Sequence, residues 1–279
     1  MDCLMDRIKQ FMCFFALTPN SDVYKDGKGI KLMLNEKPII IAHRGAKGHA
    51  PENTLGAFRL GVEQGCEAIE LDVHLSADGE IIVCHDETLN RTTNGTGKII
   101  DKTLAEIQAL DAGSWHSEVY RGEKVPTLGE VFDLVPDSIM INVEVKNSYD
   151  GRMDRKLVEF LRERSLFDRV VVSSFDHKCL CAIKRLEPKV KIGLLYQLRL
   201  ADAAAYAKTL GVDVYSLHPD YRIVDKEDVE KADRAGIQVY PYTANDEKDL
   251  RALMDLGVSG IITDFPDRLK EIRSSRAHA

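Results

Sequence analysis

The feature of this 279-residue chain that most restricts its fold is a regular alternation of short apolar runs with longer amphipathic ones. The apolar runs are rich in Val and Ile and have the length of buried strands, whereas the segments between them have helical spacing. The strand candidates that alternate with helices are 38–43, 68–75, 138–145, 169–175, 191–196, 213–218, 237–242 and 260–264. The helical segments are 53–64, 128–135, 152–164, 176–186, 200–209, 225–234, 246–256 and 266–273. Strands that alternate with helices build a parallel sheet, and eight such units in about 240 residues predict a closed (β/α)8 TIM barrel.

One stretch departs from this alternation. Between about 76 and 125 the chain has an additional strand candidate, 81–85, followed by the polar turn NRTTNGTG and a short helical pattern. We interpret this stretch as a small insertion after the second barrel strand. Because no low-complexity or Pro-rich linker divides the chain, we predict an N-terminal extension over 1–37, a single barrel domain over 38–273 and a polar tail over 274–279.

Composition excludes several classes of protein. A net charge of −7 argues against nucleic-acid binding, which needs a basic surface. The six cysteines show no C-x-x-C spacing, which indicates free thiols in a reducing compartment, so we expect a cytoplasmic protein. No apolar run reaches the roughly 20 residues of a membrane span. The sequence does not indicate an oligomeric state.

The N-terminal extension contains one patterned segment. Met5, Ile8, Met12 and Phe15 recur at helical spacing, which predicts a short amphipathic helix. We expect its apolar face to pack on the domain, and contact with a membrane surface is the alternative. A signal peptide is poorly supported, because the apolar run FMCFFAL is short and no small-residue cleavage site clearly follows it.

Acidic side chains stand near the ends of two predicted barrel strands, where such barrels carry their function. Glu70 and Asp72 are two residues apart and therefore lie on one face of the second strand, and Glu144 and Lys146 repeat this spacing on the third. Three carboxylates in one barrel mouth would repel one another, and one hard divalent cation, Mg2+ or Ca2+, would resolve that repulsion. The alternative is a buried salt-bridge cluster that uses Lys146 and Arg44.

Two histidines add proton-transfer groups to the same region. His43 ends the first strand and His85 ends the additional one. Imidazole titrates near neutral pH, so one ring can accept a proton while the other donates one. Arg44 offers a planar fork that matches phosphate oxygens, and Gly45 lets the backbone turn sharply after it. These residue types together predict phosphate chemistry.

Other polar residues allow more than one interpretation. In the segment PENT, we favour Asn53 as the N-cap of the first helix, with a role of Glu52 and Asn53 in lining the site as the alternative. For His218, at the end of the sixth strand, a structural and a functional role are both open. The remaining histidines lack comparable neighbours and are interpreted as structural: His49, His74, His116, His177 and His278.

Four segments together resemble a known family. They are AHRGAKGHAPENTLGAF, GCEAIELDVHLSADGEIIVCHDETLNRTTNGTG, INVEVK and GIITDFP. Over about 38–270 the chain resembles the glycerophosphodiester phosphodiesterases, and the combination of these motifs is highly specific. The resemblance implies a (β/α)8 barrel with a small insertion after the second strand. It also implies hydrolysis of glycerophosphodiesters to sn-glycerol 3-phosphate and an alcohol.

The resemblance further implies roles for individual residues. By position, the family's metal ligands match Glu70, Asp72 and Glu144. Its general acid and base match His43 and His85, and its phosphate-contacting cations match Arg44 and Lys146. The implied mechanism uses the glycerol hydroxyl beside the phosphate as nucleophile and forms a cyclic phosphate that water then opens.

The chain departs from the family pattern near the end of the seventh strand. Many members have Trp before Thr there, whereas this chain has Tyr242 in YPYTAND. An aromatic ring is retained, so we expect Tyr242 to form a wall of the substrate pocket. The headgroup, the choice between Mg2+ and Ca2+, and the division of acid and base roles between the histidines stay open.

Other functions are compatible with parts of the pattern. The same fold could act on larger lipids, as a lysophospholipase D or a phospholipase C-like enzyme. The aromatic residues near the mouth do not decide this: Phe175, Tyr196, Tyr242 and Phe265. A non-catalytic binding barrel should lack a metal ligand or a histidine, and none is missing. A glycosidase with two carboxylates would leave His43, Arg44 and His85 without a role.

Overall fold

A computed structural model of the chain describes residues 38–276 and two short strands in the N-terminal extension. Those strands, Lys25–Asp26 and Gly29–Ile30, pair antiparallel with each other. The amphipathic helix predicted near the N-terminus lies outside the described residues.

Eight parallel strands form a nearly closed barrel. They are β1 Ile39–His43, β2 Ala68–Leu75, β3 Met140–Val145, β4 Val170–Ser174, β5 Lys191–Tyr196, β6 Ser216–Pro219, β7 Gln238–Val239 and β8 Gly260–Thr263. Neighbours pair in the order β7-β6-β5-β4-β3-β2-β1-β8. Between β7 and β8, the amide of Ser259 donates to the carbonyl of Val239, and that of Ile262 to the carbonyl of Pro241, both at 3.0 Å. The predicted (β/α)8 barrel is confirmed.

The side chains of the barrel strands lie in two apolar layers, one on each face of the sheet. Along β1, Ile40 and Ala42 belong to the large core that includes the helices, whereas Ile41 packs with Tyr240 and Ile262 in a smaller cluster. Because successive side chains of a strand point to opposite faces, the smaller cluster fills the barrel interior. Burial on both faces explains why these segments are continuous apolar runs in the sequence.

Each barrel strand is followed by a helix on the outside, in the case of β2 after the insertion. The helices are α1 Leu55–Glu63, α2 Leu128–Leu134, α3 Arg152–Glu163, α4 His177–Leu186, α5 Ala203–Thr209, α6 Lys226–Arg234, α7 Glu247–Leu256 and α8 Pro266–Arg276. On α3, Met153, Leu157 and Leu161 are buried at every fourth position, which gives one apolar stripe facing the barrel. Among the described helices, none has the length and apolar character needed to cross a membrane.

The start of α1 differs from the prediction. The N-cap is Thr54, whose hydroxyl accepts a hydrogen bond from the amide of Ala57 at 3.2 Å. The prediction that Asn53 caps this helix is wrong. Asn53 has a φ of +58°, which is unlike the extended backbone of an N-cap, and its side chain donates to Asp72 instead.

The end of the last helix also differs from the prediction. Helix α8 continues to Arg276, three residues into the stretch predicted as a polar tail. Ile272 is buried in the core, and the guanidinium of Arg276 pairs with Asp255 at 2.7 Å. These contacts extend the helix beyond the point where its sequence becomes polar.

The insertion after β2 has a small core of its own. Its strand, Ile81–Val83, pairs antiparallel with the end of β2, and it also carries a short helix, Leu104–Gln108. Its buried apolar side chains include Ile82, Leu89, Ile99, Ile107 and Val125. The amide of Cys84 donates to the carbonyl of Asp72 at 3.0 Å, which brings His85 next to the end of β2. The predicted insertion is confirmed.

Part of the barrel interior is polar. His218 on β6 is fully buried, and its Nε2 lies 2.8 Å from Oγ of Ser216. Gly193 on β5 leaves the space for this ring, because a Cβ there would stand 2.5 Å from Nε2 of His218. Burial lowers the pKa of His218 to about 3, so the ring is neutral. His218 therefore packs in the interior, which supports the structural interpretation.

We expect Gly193→Ala to lower the free energy of unfolding by about 1–3 kcal/mol, because the added methyl overpacks the interior against His218. Gly129→Ala on α2 is the control: the nearest atom to its new Cβ would be 3.5 Å away, and Ala favours helix, so no loss is expected. Urea denaturation measures both. A Gly193→Ala protein as stable as the wild type would contradict this packing.

Candidate active site

Three acidic side chains meet at the carboxyl ends of two neighbouring strands. Glu70 and Asp72 come from β2 and Glu144 from β3, and Asp72 stands opposite Glu144 in the strand register. They are 3%, 0% and 8% exposed, respectively. One carboxylate oxygen from each lies within 4.8 Å of the other two. The three carboxylates predicted to converge do lie together, and they could hold a metal ion.

Two cations share these carboxylates. Nζ of Lys146 lies 2.7 Å from Oε1 of Glu144 and 3.4 Å from Oδ1 of Asp72. Nε of Arg44 lies 3.3 Å from Oδ2 of Asp72, and Asn53 donates to the same oxygen at 2.9 Å. Burial alone would raise the pKa of Asp72, but the charges of Arg44 and Lys146 hold it well below its usual range. Asp72 is therefore ionised.

The charges of Arg44 and Lys146 do not neutralise the three carboxylates. Burial and the charge of Asp72 raise the pKa of Glu144 to about 7, and burial with both neighbouring carboxylates raises that of Glu70 well above its usual range. Within residues 38–276, no donor forms a hydrogen bond to the buried Oδ1 of Asp72. The predicted salt bridges exist, but they leave carboxylate oxygens without sufficient positive charge. A hard divalent cation, which prefers carboxylate oxygens, fits this donor set.

His43 is held by a carboxylate from beyond β8. Its Nδ1 lies 2.6 Å from Oδ1 of Asp264, and Asn245 donates to the other oxygen of Asp264 at 2.9 Å. Because that carboxylate accepts, we assign the ring proton to Nδ1, which leaves the lone pair on Nε2. Nε2 lies 3.9 Å from Oε2 of Glu70. Burial lowers the pKa of His43 in spite of Asp264, so the ring is neutral near pH 7.

His85 has the same arrangement with a carboxylate of the insertion. Its Nδ1 lies 2.7 Å from Oδ1 of Asp86. Its backbone carbonyl accepts from Nε2 of His74 at 3.1 Å, and Nδ1 of His74 accepts from the hydroxyl of Tyr149 at 2.7 Å. His74, interpreted from the sequence as structural, therefore holds the backbone of His85. Burial lowers the pKa of His85 in spite of the charge of Asp72.

A chain of alternating charges joins His85 to Arg44. Arg91 donates to the two oxygens of Asp86 at 2.9 and 3.0 Å, and to the two oxygens of Glu52 at 2.9 and 2.8 Å. Glu52 also accepts from Nη1 of Arg44 at 2.8 Å. Burial would raise the pKa of Glu52, but the hydrogen bonds from Arg91 and Arg44 lower it to about 2. The segment PENT thus lines the site, which was the alternative interpretation.

The backbone turns sharply between β1 and α1. Arg44 and Gly45 have φ values of +54° and +81°, and the amide of Arg44 donates to Oε2 of Glu70 at 3.1 Å. A Cβ at Gly45 would stand 2.6 Å from the backbone of Ala57, so glycine is required there. The predicted turn is confirmed, and it directs the guanidinium of Arg44 to Asp72.

Tyr242 lies past β7, at the same end of the barrel. Its hydroxyl donates to the carbonyl of Tyr196 at 3.3 Å. Its ring meets Phe175 edge to face, with centroids 6.0 Å apart and an interplanar angle of 87°. The two rings form an aromatic wall between the ends of β4 and β7.

Residue type in the sequence indicates the reactive side chains of the site but not the side chains that hold them. Asp86, Arg91 and Asp264 received no role, although two of them stand directly beside a histidine or at a strand end. Arg91 lies in a polar turn and had no comparable signal, because its partners are 5 and 39 residues away in the chain.

Comparison with known sequences gives a consistent family. The glycerophosphoryl diester phosphodiesterase family matches residues 43–268. A glycerophosphodiester phosphodiesterase of Caldanaerobacter subterraneus subsp. tengcongensis is 43% identical over 237 residues, covering 84% of this chain and 96% of the relative. A glycerophosphodiester phosphodiesterase of Bacillus subtilis is 34% identical over 277 residues, covering 93% of each chain.

Comparison with solved structures agrees. An Oleispira antarctica phosphodiesterase, solved in complex with the product sn-glycerol-3-phosphate, is 32% identical and superposes with a TM-score of 0.80. That match covers 85% of this chain and 97% of the other. A glycerophosphodiester phosphodiesterase from Agrobacterium tumefaciens is 28% identical with a TM-score of 0.75, covering 84% of this chain and 99% of that one.

In metal-free protein, we expect Glu144→Gln to gain stability relative to the wild type as pH rises from about 5 to about 7.5. The carboxyl titrates near 4.5 in the unfolded chain and at about 7 in the folded protein. Between these pH values the unfolded chain releases the proton of this carboxyl while the folded protein retains it, so rising pH favours unfolding of the wild type. The Gln side chain does not ionise and avoids this loss. Urea unfolding in EDTA at both pH values measures the difference.

The control for this experiment is Glu159→Gln, which removes an exposed carboxylate from α3. Because this side chain is exposed, Glu159→Gln should not reproduce the gain in stability expected for Glu144→Gln. Saturating Mg2+ or Ca2+ should remove the gain of Glu144→Gln near neutral pH, because the metal favours the ionised wild-type carboxylate. A pH-independent difference between Glu144→Gln and wild type in EDTA would contradict the raised pKa.

Proposed function

The chain belongs to the glycerophosphoryl diester phosphodiesterase family, and we propose that it hydrolyses glycerophosphodiesters such as glycerophosphocholine and glycerophosphoethanolamine to sn-glycerol 3-phosphate and an alcohol. As a member of this family it is a glycerophosphodiester phosphodiesterase. The observation that supports the proposed chemistry is the meeting of a buried acidic triad, two cations and two carboxylate-bound imidazoles at one barrel mouth. A non-catalytic barrel would not need this complete set.

The positive groups serve the phosphate. Arg44 and Lys146 are already held by Asp72 and Glu144, so their charges are oriented before the substrate binds. Arg44 can present two N–H groups to phosphate oxygens, whereas Lys146 contributes a compact charge. Held by Glu70, Asp72 and Glu144, a divalent cation, Mg2+ or Ca2+, would polarise the phosphodiester and offset its negative charge.

The histidines move the protons. Nε2 of one histidine takes the proton of the glycerol hydroxyl beside the phosphate. The oxygen of that hydroxyl then bonds to phosphorus, and the bond between phosphorus and the headgroup oxygen breaks. The other histidine donates a proton to the departing alcohol. Water then opens the cyclic phosphate while the two histidines exchange roles, which restores their starting protonation states and leaves sn-glycerol 3-phosphate.

The carboxylate partners make this exchange possible. Asp264 and Asp86 accept from the Nδ1 of His43 and His85, and they stabilise each ring when it becomes an imidazolium. Burial lowers the pKa of both histidines. The negative charge of a bound phosphodiester acts in the opposite direction and favours protonation of the ring that serves as the acid. The scheme works with either histidine as the first base.

Lysophospholipids are a second candidate substrate class. Phe175 and Leu198 follow the carboxyl ends of β4 and β5 and are 47% and 76% exposed. Exposed apolar side chains beside a barrel mouth suit an acyl chain on the glycerol. The phosphoester chemistry would be unchanged, with an acylated glycerol phosphate as the product.

We expect His43→Ala and His85→Ala to fold but to lose at least about 100-fold in kcat, because each removes a proton-transfer group. The measurement is release of sn-glycerol 3-phosphate from glycerophosphocholine, with EDTA and then with Mg2+ or Ca2+ restored. EDTA should abolish the release, and one of the metals should restore it. The control is His116→Ala, an exposed histidine of the insertion, which should turn over like the wild type.

Three results would change the proposal. Near-normal turnover of either histidine variant would remove that residue from acid–base catalysis. Release of choline phosphate and glycerol would show that the opposite phosphoester bond is cleaved. Turnover of lysophospholipids without turnover of glycerophosphocholine would favour the second substrate class.

A further inference from the structure

One side chain of the insertion makes more contacts with the site than its position in a polar turn would suggest. The side chain of Arg91 is 43% exposed, yet its guanidinium donates four hydrogen bonds to Asp86 and Glu52. We infer that Arg91 is a positioning residue for the reaction, which acts through Asp86 to hold the imidazole of His85. This inference rests on the role proposed above for His85.

The contact with Asp86 explains how a loop residue can orient the ring. Asp86 is 30% exposed and follows His85 directly, so on its own it could take several rotamers in solvent. Arg91 bonds both of its carboxylate oxygens, at 2.9 and 3.0 Å. These two bonds fix the plane of the carboxylate, and Oδ1 is then 2.7 Å from Nδ1 of His85.

The guanidinium is itself anchored to the barrel. Glu52 lies between β1 and α1, its side chain is 3% exposed, and it binds Arg91 through both oxygens. Glu52 is held in turn by Arg44 at 2.8 Å. Arg91 therefore links Asp86, the partner of His85, to the buried and fixed carboxylate of Glu52. His43 does not depend on the insertion in this way, because Asp264 directly follows β8 and Asn245 lies in the β7–α7 loop.

The bonding pattern requires arginine. Arg91 binds both oxygens of each of two carboxylates, and only the planar guanidinium has N–H groups placed for both contacts. An ammonium group is a point charge without this fork and cannot reproduce both bidentate contacts. Lysine at position 91 should therefore retain charge but lose most of the orientation.

The test compares Arg91→Ala, Arg91→Lys and the control Arg121→Ala, with glycerophosphocholine as substrate and metal present. Arg121 is also an arginine of the insertion, but its side chain is 69% exposed and it pairs with Glu118, three residues before it in the chain. We expect Arg91→Ala to lose about 10- to 100-fold in kcat with less than about 3-fold change in KM. Arg91→Lys should lie between Arg91→Ala and wild type, and Arg121→Ala should match the wild type.

Two further readouts separate positioning from a general structural role. Guanidinium ion at non-denaturing concentration should restore part of the kcat of Arg91→Ala, but not of Asp86→Ala, which lacks the group to be held. The double variant Asp86→Ala/Arg91→Ala should be no more than about 2-fold slower than Asp86→Ala, because both changes remove the same interaction.

The inference is overturned by wild-type kcat in Arg91→Ala, by a loss confined to KM, by absence of guanidinium rescue, or by losses that multiply in the double variant. Thermal unfolding of each variant is measured in parallel. If Arg91→Ala is unfolded at the assay temperature, Arg91→Lys carries the test, and unfolding of both would make Arg91 structural. Failure of the proposed function is recognised separately, because the wild type itself would then release no sn-glycerol 3-phosphate from glycerophosphocholine. Failure of the role of His85 is recognised by wild-type turnover in His85→Ala, whatever Arg91 does.

Discussion

The ionised carboxylate of Asp72 is the group on which the rest of the site depends. It is fully buried, and a buried carboxylate stays charged only with partners that replace water. Arg44, Lys146 and Asn53 supply that replacement. Burial and the charge that they stabilise then raise the pKa of Glu70 and Glu144, so both carboxyls bind a proton more tightly than an exposed glutamate does. One buried charge thus accounts both for the cations that a phosphate would meet and for the donor set that a divalent metal would satisfy.

This charge also explains the backbone around it. Arg44 reaches Asp72 from a position with positive φ, and Gly45 completes the turn where α1 leaves no room for a side chain. A non-glycine residue with positive φ costs about 1 kcal/mol or more unless its surroundings compensate. Here the compensation is the hydrogen bond that the backbone amide of Arg44 donates to the carboxylate of Glu70, together with the contacts of its guanidinium. The strained turn and the acidic triad therefore stabilise each other.

Much of this arrangement could be predicted from the sequence, because it depends on local periodicity. The strands follow from apolar runs of the right length, and the i, i+2 spacing of Glu70 and Asp72 places both on the inner face of β2. The N-cap of α1 could not be predicted in the same way. Asn53 and Thr54 are both good capping residues, and the choice between them depends on a hydrogen bond to Asp72, 19 residues away.

The partners of the histidines were harder still to predict. His43 and Asp264 are 221 residues apart, and only closure of the barrel between β1 and β8 brings them together. His218 also stands at a strand end, but it lies beside Gly193 inside the barrel rather than at the mouth. Residue type and strand-end position are equal for His43 and His218, so these two features alone do not separate them, and the sequence left the role of His218 open.

The two histidines thus depend on different parts of the fold. His43 needs barrel closure, whereas His85 needs the insertion to be fixed relative to β2. A catalytic group must be held within about 0.5 Å of its working position, and a loop without a packed apolar core does not hold a side chain that closely. The insertion meets this requirement because Leu89, between Asp86 and Arg91, is fully buried in its small apolar core. Its amide also donates to the carbonyl of Gly97 at 3.0 Å. The apolar core of the insertion therefore supports the proposed active site, since it holds the segment from His85 to Arg91 against the barrel.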